Sequence, residues 1–527
     1  MFNALLLFSA CFSTVPESNA KTEIRDVLNR GANNADAAHT DADADTDADT
    51  DADAVAADLA WARKLNGPQS PKPPTEFRAG HVTPRVFDSS AIQNAEGRFE
   101  VRFPSGAPIT TPAVHDGMIF SSGGFKGKEF YAFDAKTGAF QWGRDLDDDG
   151  PSAPACDAGV CVFNTESCTV FALDAKTGEQ LWSWWMGDPM LSAPAIADGV
   201  VYTSYPAGQA GLGGNLNHVS PPVAQSSPEG ATHVLAALDL KTGALKWQRW
   251  LDGDIISAPV VVDGEVFVTT FSGTMMTFGA TDGAVRAARR GRATSAPTVS
   301  GGEVYWSERS DAAGEAAQEQ LVAASRGTIH AEHYTAAERD APYLDASVQS
   351  ATGYAAGGMS LDAGNGFSGG APASANAGRA MDNVGQGTVS RLQAYQGSKI
   401  LNAFNRNYAV MGDEIVSTDP RTGEARWTVK IDGDLRQAGG FLAAPPALAG
   451  EMLVVATLSG DVLFLDPKTG DRKRTIEVGA PIRSQPIVEA GWLYVGTEDG
   501  RLIGIDTGDL AMTGWPMWGG DAARSGT

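Results

Sequence analysis

The sequence predicts an all-β chain: an eight-bladed β-propeller of four-stranded antiparallel blades, with a strand from the N-terminal side closing the last blade. Three observations predict it. Two short phrases alternate after residue 95, each reading as a hairpin; the first gives eight equivalent starts; and the last repeat lacks one strand that a segment ahead of the first repeat supplies. Recurrence of this kind marks an architecture in which each unit buries its faces against its neighbours.

The first phrase is Ser-x-Pro, an apolar run, Gly and a second apolar run, as in Ser192 to Gly199 and Ser257 to Gly264. It reads as strand, tight turn, strand. The second is an apolar strand, Asp, two residues, Thr-Gly, three residues and Trp, at Asp134–Trp142, Asp174–Trp182, Asp239–Trp247 and Asp419–Trp427. Here Asp can accept turn amides, Gly can take positive φ, and Trp projects from the next strand. Together the phrases make one four-stranded blade.

Aligned on the turn Gly, the eight starts are Thr110, Ser152, Ser192, Ser257, Ser295, Ser398, Ala443 and Ser484, with Asn405 replacing Gly in the sixth repeat. After Asp506-Thr-Gly508 the chain runs into Trp515-Pro-Met-Trp518 without a fourth apolar strand, whereas Gly97 to Phe103 precedes the first start as fourth strands precede the others. That segment can close the ring and remove two sheet edges.

The Asp-x-x-Thr-Gly-x-x-x-Trp phrase resembles the tryptophan-docking repeat of pyrroloquinoline-quinone (PQQ)-like propellers over nearly all of residues 97–510. That family includes quinoprotein alcohol dehydrogenases and noncatalytic BamB-type assembly lipoproteins, so the resemblance implies a fold more securely than a function. Trp142, Trp182, Trp247 and Trp427 are read as interblade packing. Gly279 and Ala287 depart from the phrase in the fourth repeat and Arg474 in the seventh, predicting looser packing there.

Ahead of the repeats, the apolar run Ala4 to Ala10 reads as an export signal, with no basic residue before it. Ser9-Ala10-Cys11 resembles a lipobox that would lipidate Cys11, and Ser18-Asn19-Ala20 offers an alternative cleavage site within residues 1–20. Residues 21–95, with Asp alternating with Ala or Thr through Asp53, read as a disordered acidic tether. Cys156 and Cys161 flank a predicted hairpin turn; a disulfide and buried thiols both remain open, and with Cys168 they lack a fourth zinc ligand.

A formal net charge of −24 excludes a nucleic-acid partner, which needs a basic surface, and favours a cationic one. Acidic links between blades carry Asp147, Asp148, Asp149, Asp188, Asp252, Asp254, Asp432 and Asp434. Asp188, Asp252, Asp254, Asp432 and Asp434 form the candidate docking face, opposed by Arg289-Arg290-Gly291-Arg292. Residues 204–232, between the second and third strands of the third blade, should share that face. Residues 327–387 are placed between the third and fourth strands of the fifth blade, on the opposite face. His330-Ala-Glu-His333 lacks the spacing of a zinc motif.

The sequence therefore reads as a noncatalytic, monomeric propeller of residues 96–527, exported to the bacterial periplasm, the outer membrane or the exterior, and binding an envelope protein. Any contact with a membrane would run through the lipid on Cys11. No cofactor is expected. The alternatives are a PQQ-dependent dehydrogenase, which would need PQQ with calcium, and a propeller sensing a small ligand through hydroxyls at the repeat starts. There is no Cys-Cys pair and no hydrolase or P-loop signature, so no catalytic residue is assigned.

Overall fold

A computed structural model of the chain describes residues 44–67, 81–124, 127–148, 150–165, 169–186, 192–206, 228–311, 315–334, 339–341, 383, 400–438, 441–522 and 524. Eight antiparallel sheets follow one another along the chain. Within each repeat the strands pair in sequence order, and the first and eighth sheets each add strands from the N-terminal side. The first strands of neighbouring blades, such as Ala113–His115 with Ala155–Asp157, touch one another and so line the central channel.

In six of the blades the first hairpin turns through two residues of positive φ, for example Asp198 and Gly199 at 50° and 71°. Such turns match the right-handed twist of the strands they join. Phe404 and Asn405 adopt the same pair of angles in the sixth blade, 52° and 56°. In the second hairpins, the Asp side chain accepts from the turn amides, as Asp239 does from Thr242 N at 3.1 Å. The Thr242 hydroxyl, also bonded to this carboxylate, holds the Asp239 pKa below the usual range.

Closure occurs on the N-terminal side. Arg98–Arg102 pairs antiparallel with Arg501–Asp506 and completes the eighth blade. Two further strands lie outside the four-stranded plan: Ile92–Ala95 pairs with Arg98–Arg102, and Val82–Arg85 pairs with Phe140–Leu146. Both cover blade edges that would otherwise offer unpaired backbone to other chains.

The tether reading needs correction from residue 44 onward, because Ala44–Leu65 is a helix and those two strands also fall within 21–95. The Asp-Ala alternation masks a helical stripe. Val55, Asp58, Ala62 and Leu65 are buried at three- and four-residue intervals. The helix packs on Val285–Arg290 in the fourth blade, where Asp58 accepts from Arg290 N and Nε at 2.9 and 2.7 Å. Just beyond it, Asn66 exchanges hydrogen bonds with the backbone of Trp250 on the edge of the third blade.

The second insertion also needs relocation. Ala331–Tyr334 already pairs with Gln318–Ser325 as the fourth strand of the fifth blade, so the extra residues follow that strand and enter the link to the sixth. The hairpin was hidden because Ile329 stands where Gly is usual. It adopts φ 52° and donates its N–H to Ser325 O at 2.8 Å, as Gly138 donates to Asp134 O.

Candidate functional site

Each docking Trp extends its indole onto the second hairpin of the following blade. Trp142 Nε1 donates to Ala175 O, Trp182 to Leu240 O, Trp247 to Ala280 O and Trp427 to Pro467 O, all between 2.8 and 3.0 Å. The turn Gly is needed for this approach as well as for its φ. A Cβ on Gly178 would lie 2.5 Å from Trp142, and one on Gly283 2.7 Å from Trp247. These side chains hold the ring together.

Hydroxyls of the repeat starts are also engaged within their own blades at Thr110, Ser152, Ser192, Ser295 and Ser484. Thr110 bonds Ser122, Ser192 bonds Ser204, and Ser484 donates to Gly496 O, each tying the start of a first strand to the end of the second. Ser398 lies outside the described residues.

The channel itself contains the chain's C-terminal segment. Trp515 exchanges two 3.0 Å backbone hydrogen bonds with Val488 of the eighth blade, Val114 N in the first donates to Pro516 O, and Ile196 N in the third donates to Ala522 O. Trp518 is buried among Ala153, Ala193 and Ala258, the middle residues of three Ser-Ala-Pro phrases. Arg524 is fully buried and donates to the carbonyls of Ala153, Pro194 and Trp518 at 3.2, 3.1 and 2.6 Å. These oxygens are already accepting from a cation, and Trp518 fills the space between the three alanines. A quinone carboxylate with calcium, which takes six to eight oxygen ligands, does not fit this arrangement.

With the ring and its docking tryptophans in place, the comparisons are decisive on lineage. A family profile described as outer membrane protein assembly factor BamB matches residues 57–221, 223–302 and 412–515, well over half of the chain. The chain belongs to this BamB family of PQQ-like-repeat propellers. No curated protein matches the sequence. Among solved structures it is similar to BamB from Moraxella catarrhalis, with a TM-score of 0.49, 16% identity, and 78% of this chain and 97% of that one covered. It is similar to a quinohemoprotein alcohol dehydrogenase from Pseudomonas putida HK5 at TM-score 0.45 and 11% identity, covering 78% and 76%. Sqt1 from Saccharomyces cerevisiae gives 0.50 and 8%, covering 76% and 96%, a likeness of fold alone.

The acidic links of this BamB-family ring divide into two kinds. Asp432 and Asp434 are exposed, and Asp188 lies outside the described residues. Asp252 and Asp254 are corrected from docking groups to interior ones, each 1% exposed. Asp252 accepts from the hydroxyls of Thr270 and Thr274 at 2.9 and 2.7 Å, and Asp254 from Ser204 Oγ and Ile255 N. The blade interior supplies donors that make burial of these carboxylates affordable. The basic segment is likewise engaged: Arg289 pairs with Glu308, Arg290 with Asp58 and Arg292 with Asp311.

The remaining candidates have plain placements. Cys156 and Cys161 face each other across the first hairpin of the second blade and are joined by a disulfide. Cys11 and Cys168 lie outside the described residues. His330 Nε2 is 3.2 Å from Ala288 O and 3.7 Å from Asp58, and the side chain of His333 is not described. Among the described residues no cluster of three His, Cys, Asp or Glu could hold a metal ion, and no helix is long and apolar enough to cross a membrane.

His233, beside the two interior aspartates, was missed by sequence reasoning because nothing local marks it. Burial pushes its pKa below the ordinary 6.5, outweighing the upward pull of Asp254 and Asp252. An unfolded chain therefore binds a proton that the folded chain refuses. This contribution to stability is fully present above pH 6.5 and is lost as pH falls from there toward the depressed folded value. Thermal melts should show a lower Tm at pH 5.5 than at 7.5 and a shallower pH slope in His233→Gln; an unchanged slope would clear His233 of the effect.

Proposed function

We propose that this chain is a noncatalytic, exported member of the BamB family that docks an envelope protein or another cationic ligand on the face formed by its interblade links. The observation that carries the reading is the filled channel. With Trp518 and Arg524 occupying the axis, the broad surfaces open to a macromolecule are the faces of the ring. Exposed Asp432 and Asp434 lie in a link between blades, at the end of the ring where the second and third strands of the third blade, Val200–Pro206 and His233–Asp239, are also joined. Family membership supports a protein partner, and the net charge of −24 favours a cationic one.

Attraction through exposed carboxylates weakens with salt, since screening acts over about 8 Å at physiological ionic strength. In a pull-down from envelope extract, Asp432→Asn/Asp434→Asn should retain less partner than the native chain at low salt, and the difference should vanish at high salt. Identical partner sets at both salt concentrations would remove the acidic links from the interface. They would leave the ring and its family unaffected.

A further inference from the structure

We propose that the central channel is a binding site for an extended peptide of the pattern Trp-x2-Trp-x5-Arg, which the chain fills in cis with residues 513–522 and Arg524 and which accepts the same chemistry in trans when that segment is released. The ring and its tail meet as receptor and ligand meet. First, the tail is held through its backbone. Gly450 N donates to Thr513 O and Gly491 N to Met512 O on entry; Trp515, Pro516 and Ala522 then bond the backbone of first strands in the eighth, first and third blades. Main-chain bonds of this type give affinity without selecting sequence.

Selection comes from two pockets. Trp518 fits where the repeat phrase has alanine at Ala153, Ala193 and Ala258, and larger residues there would fill the axis. Arg524 stacks over the Trp518 ring at 5.2 Å and directs its guanidinium at two carbonyls of the ring, Ala153 O and Pro194 O, and at the tail's own Trp518 O. Burial pushes its pKa down to about 9, so the cage of carbonyls still holds a cation at neutral pH. Between the pockets, Gln485 Oε1 accepts from Gly519 N at 2.9 Å while its Nε2 donates to Pro446 O. A guanidinium held by backbone oxygens of two blades, with an indole seated on alanines, is peptide recognition built by the ring around its own tail segment.

The tail leaves the eighth blade through an exposed turn, with Leu510 81% exposed, so it can be severed without touching either pocket. The test uses the full chain with a protease recognition sequence inserted between Leu510 and Ala511, cut after folding. The severed tail should remain with the ring on size exclusion and exchange for a labelled synthetic peptide of residues 513–527. Peptides carrying Trp518→Ala or Arg524→Ala should compete at least about tenfold more weakly, as for buried anchor residues. Immediate loss of the tail from a folded ring with no uptake of peptide would overturn the proposal. So would unfolding on cleavage, or a tail that exchanges only when the ring unfolds, since either makes the segment part of the core. Asp432→Asn/Asp434→Asn should leave exchange unchanged, which separates this outcome from that of the link-face pull-down.

Discussion

A chain lacking residues 97–103 is expected to lose the cooperative unfolding of the whole ring, not of the eighth blade alone. Phe99, Val101 and Phe103 are buried, and Phe99 takes the part that Trp takes at other junctions. It sits opposite Gly504 and against Gly138 of the first blade, where an added Cβ would lie 2.2 and 2.6 Å from its ring, respectively. Phe103 meets Phe87, Tyr131 and Phe133 edge-on or tilted. Removing a buried Phe costs about 3–5 kcal/mol, and the whole of a domain's stability is about 5–15 kcal/mol. Losing two such rings, a valine and a paired strand exceeds what the remaining blades can supply, and it opens a sheet edge on each side of the gap. Circular dichroism melts with size exclusion check this. A deleted chain that stayed monomeric and melted with the native Tm would show that the ring is not closed by this strand.

The same junctions show why the fold was legible and parts of the site were not. A propeller repeats its local chemistry, so eight turns and four Trp–Gly contacts announce themselves through spacing alone. The closing strand was found from what the last repeat lacked. Features that depend on a single blade left no such trace. Asp252 and Asp254 look like ordinary turn residues in sequence, and only the inward placement of Ser204, Thr270 and Thr274 makes them interior groups. The tail could be seen to lack strand character, but the match of Trp518 to Ala153, Ala193 and Ala258 joins residues more than two hundred positions apart.

The departures from the repeat were visible, yet their consequence was misjudged. Arg474, in the Trp position of the seventh blade, faces Phe464 where the four Trp blades place Ala or Ser, lies 5.7 Å from its ring centroid and donates to Thr507 O in the eighth blade. Gly279, in the Asp position of the fourth, leaves room that Asp282 Oδ1 enters, since a Cβ there would be 2.3 Å away. The fourth blade is not loosely packed either. Ala287 and Ile329 are both buried in one apolar cluster, so the usual large-then-small pair is inverted across this junction.

That inversion predicts a strong non-additive effect. Ala287→Trp alone should destabilise by about 3 kcal/mol or more, because the indole is aimed at a turn already filled by Ile329, and overpacking a close-packed interior forces side chains and backbone aside. Ile329→Gly alone removes a β-branched residue from φ 52°, relieving strain of about 1–3 kcal/mol. It also empties a fully buried site, for which loss of an Ile side chain costs about 2–5 kcal/mol, so the net change is still destabilising. Together the substitutions recreate the Trp–Gly contact seen at Trp247 and Gly283, with the indole filling the space the Ile vacates. The double variant should therefore be more stable than Ala287→Trp, with a coupling energy of about 2–3 kcal/mol, at the upper end for residues in contact. Urea unfolding of the native chain, both single variants and the double variant closes the cycle. Costs that simply add would mean that Ala287 and Ile329 do not share one packing site, and the inverted junction would have to be abandoned.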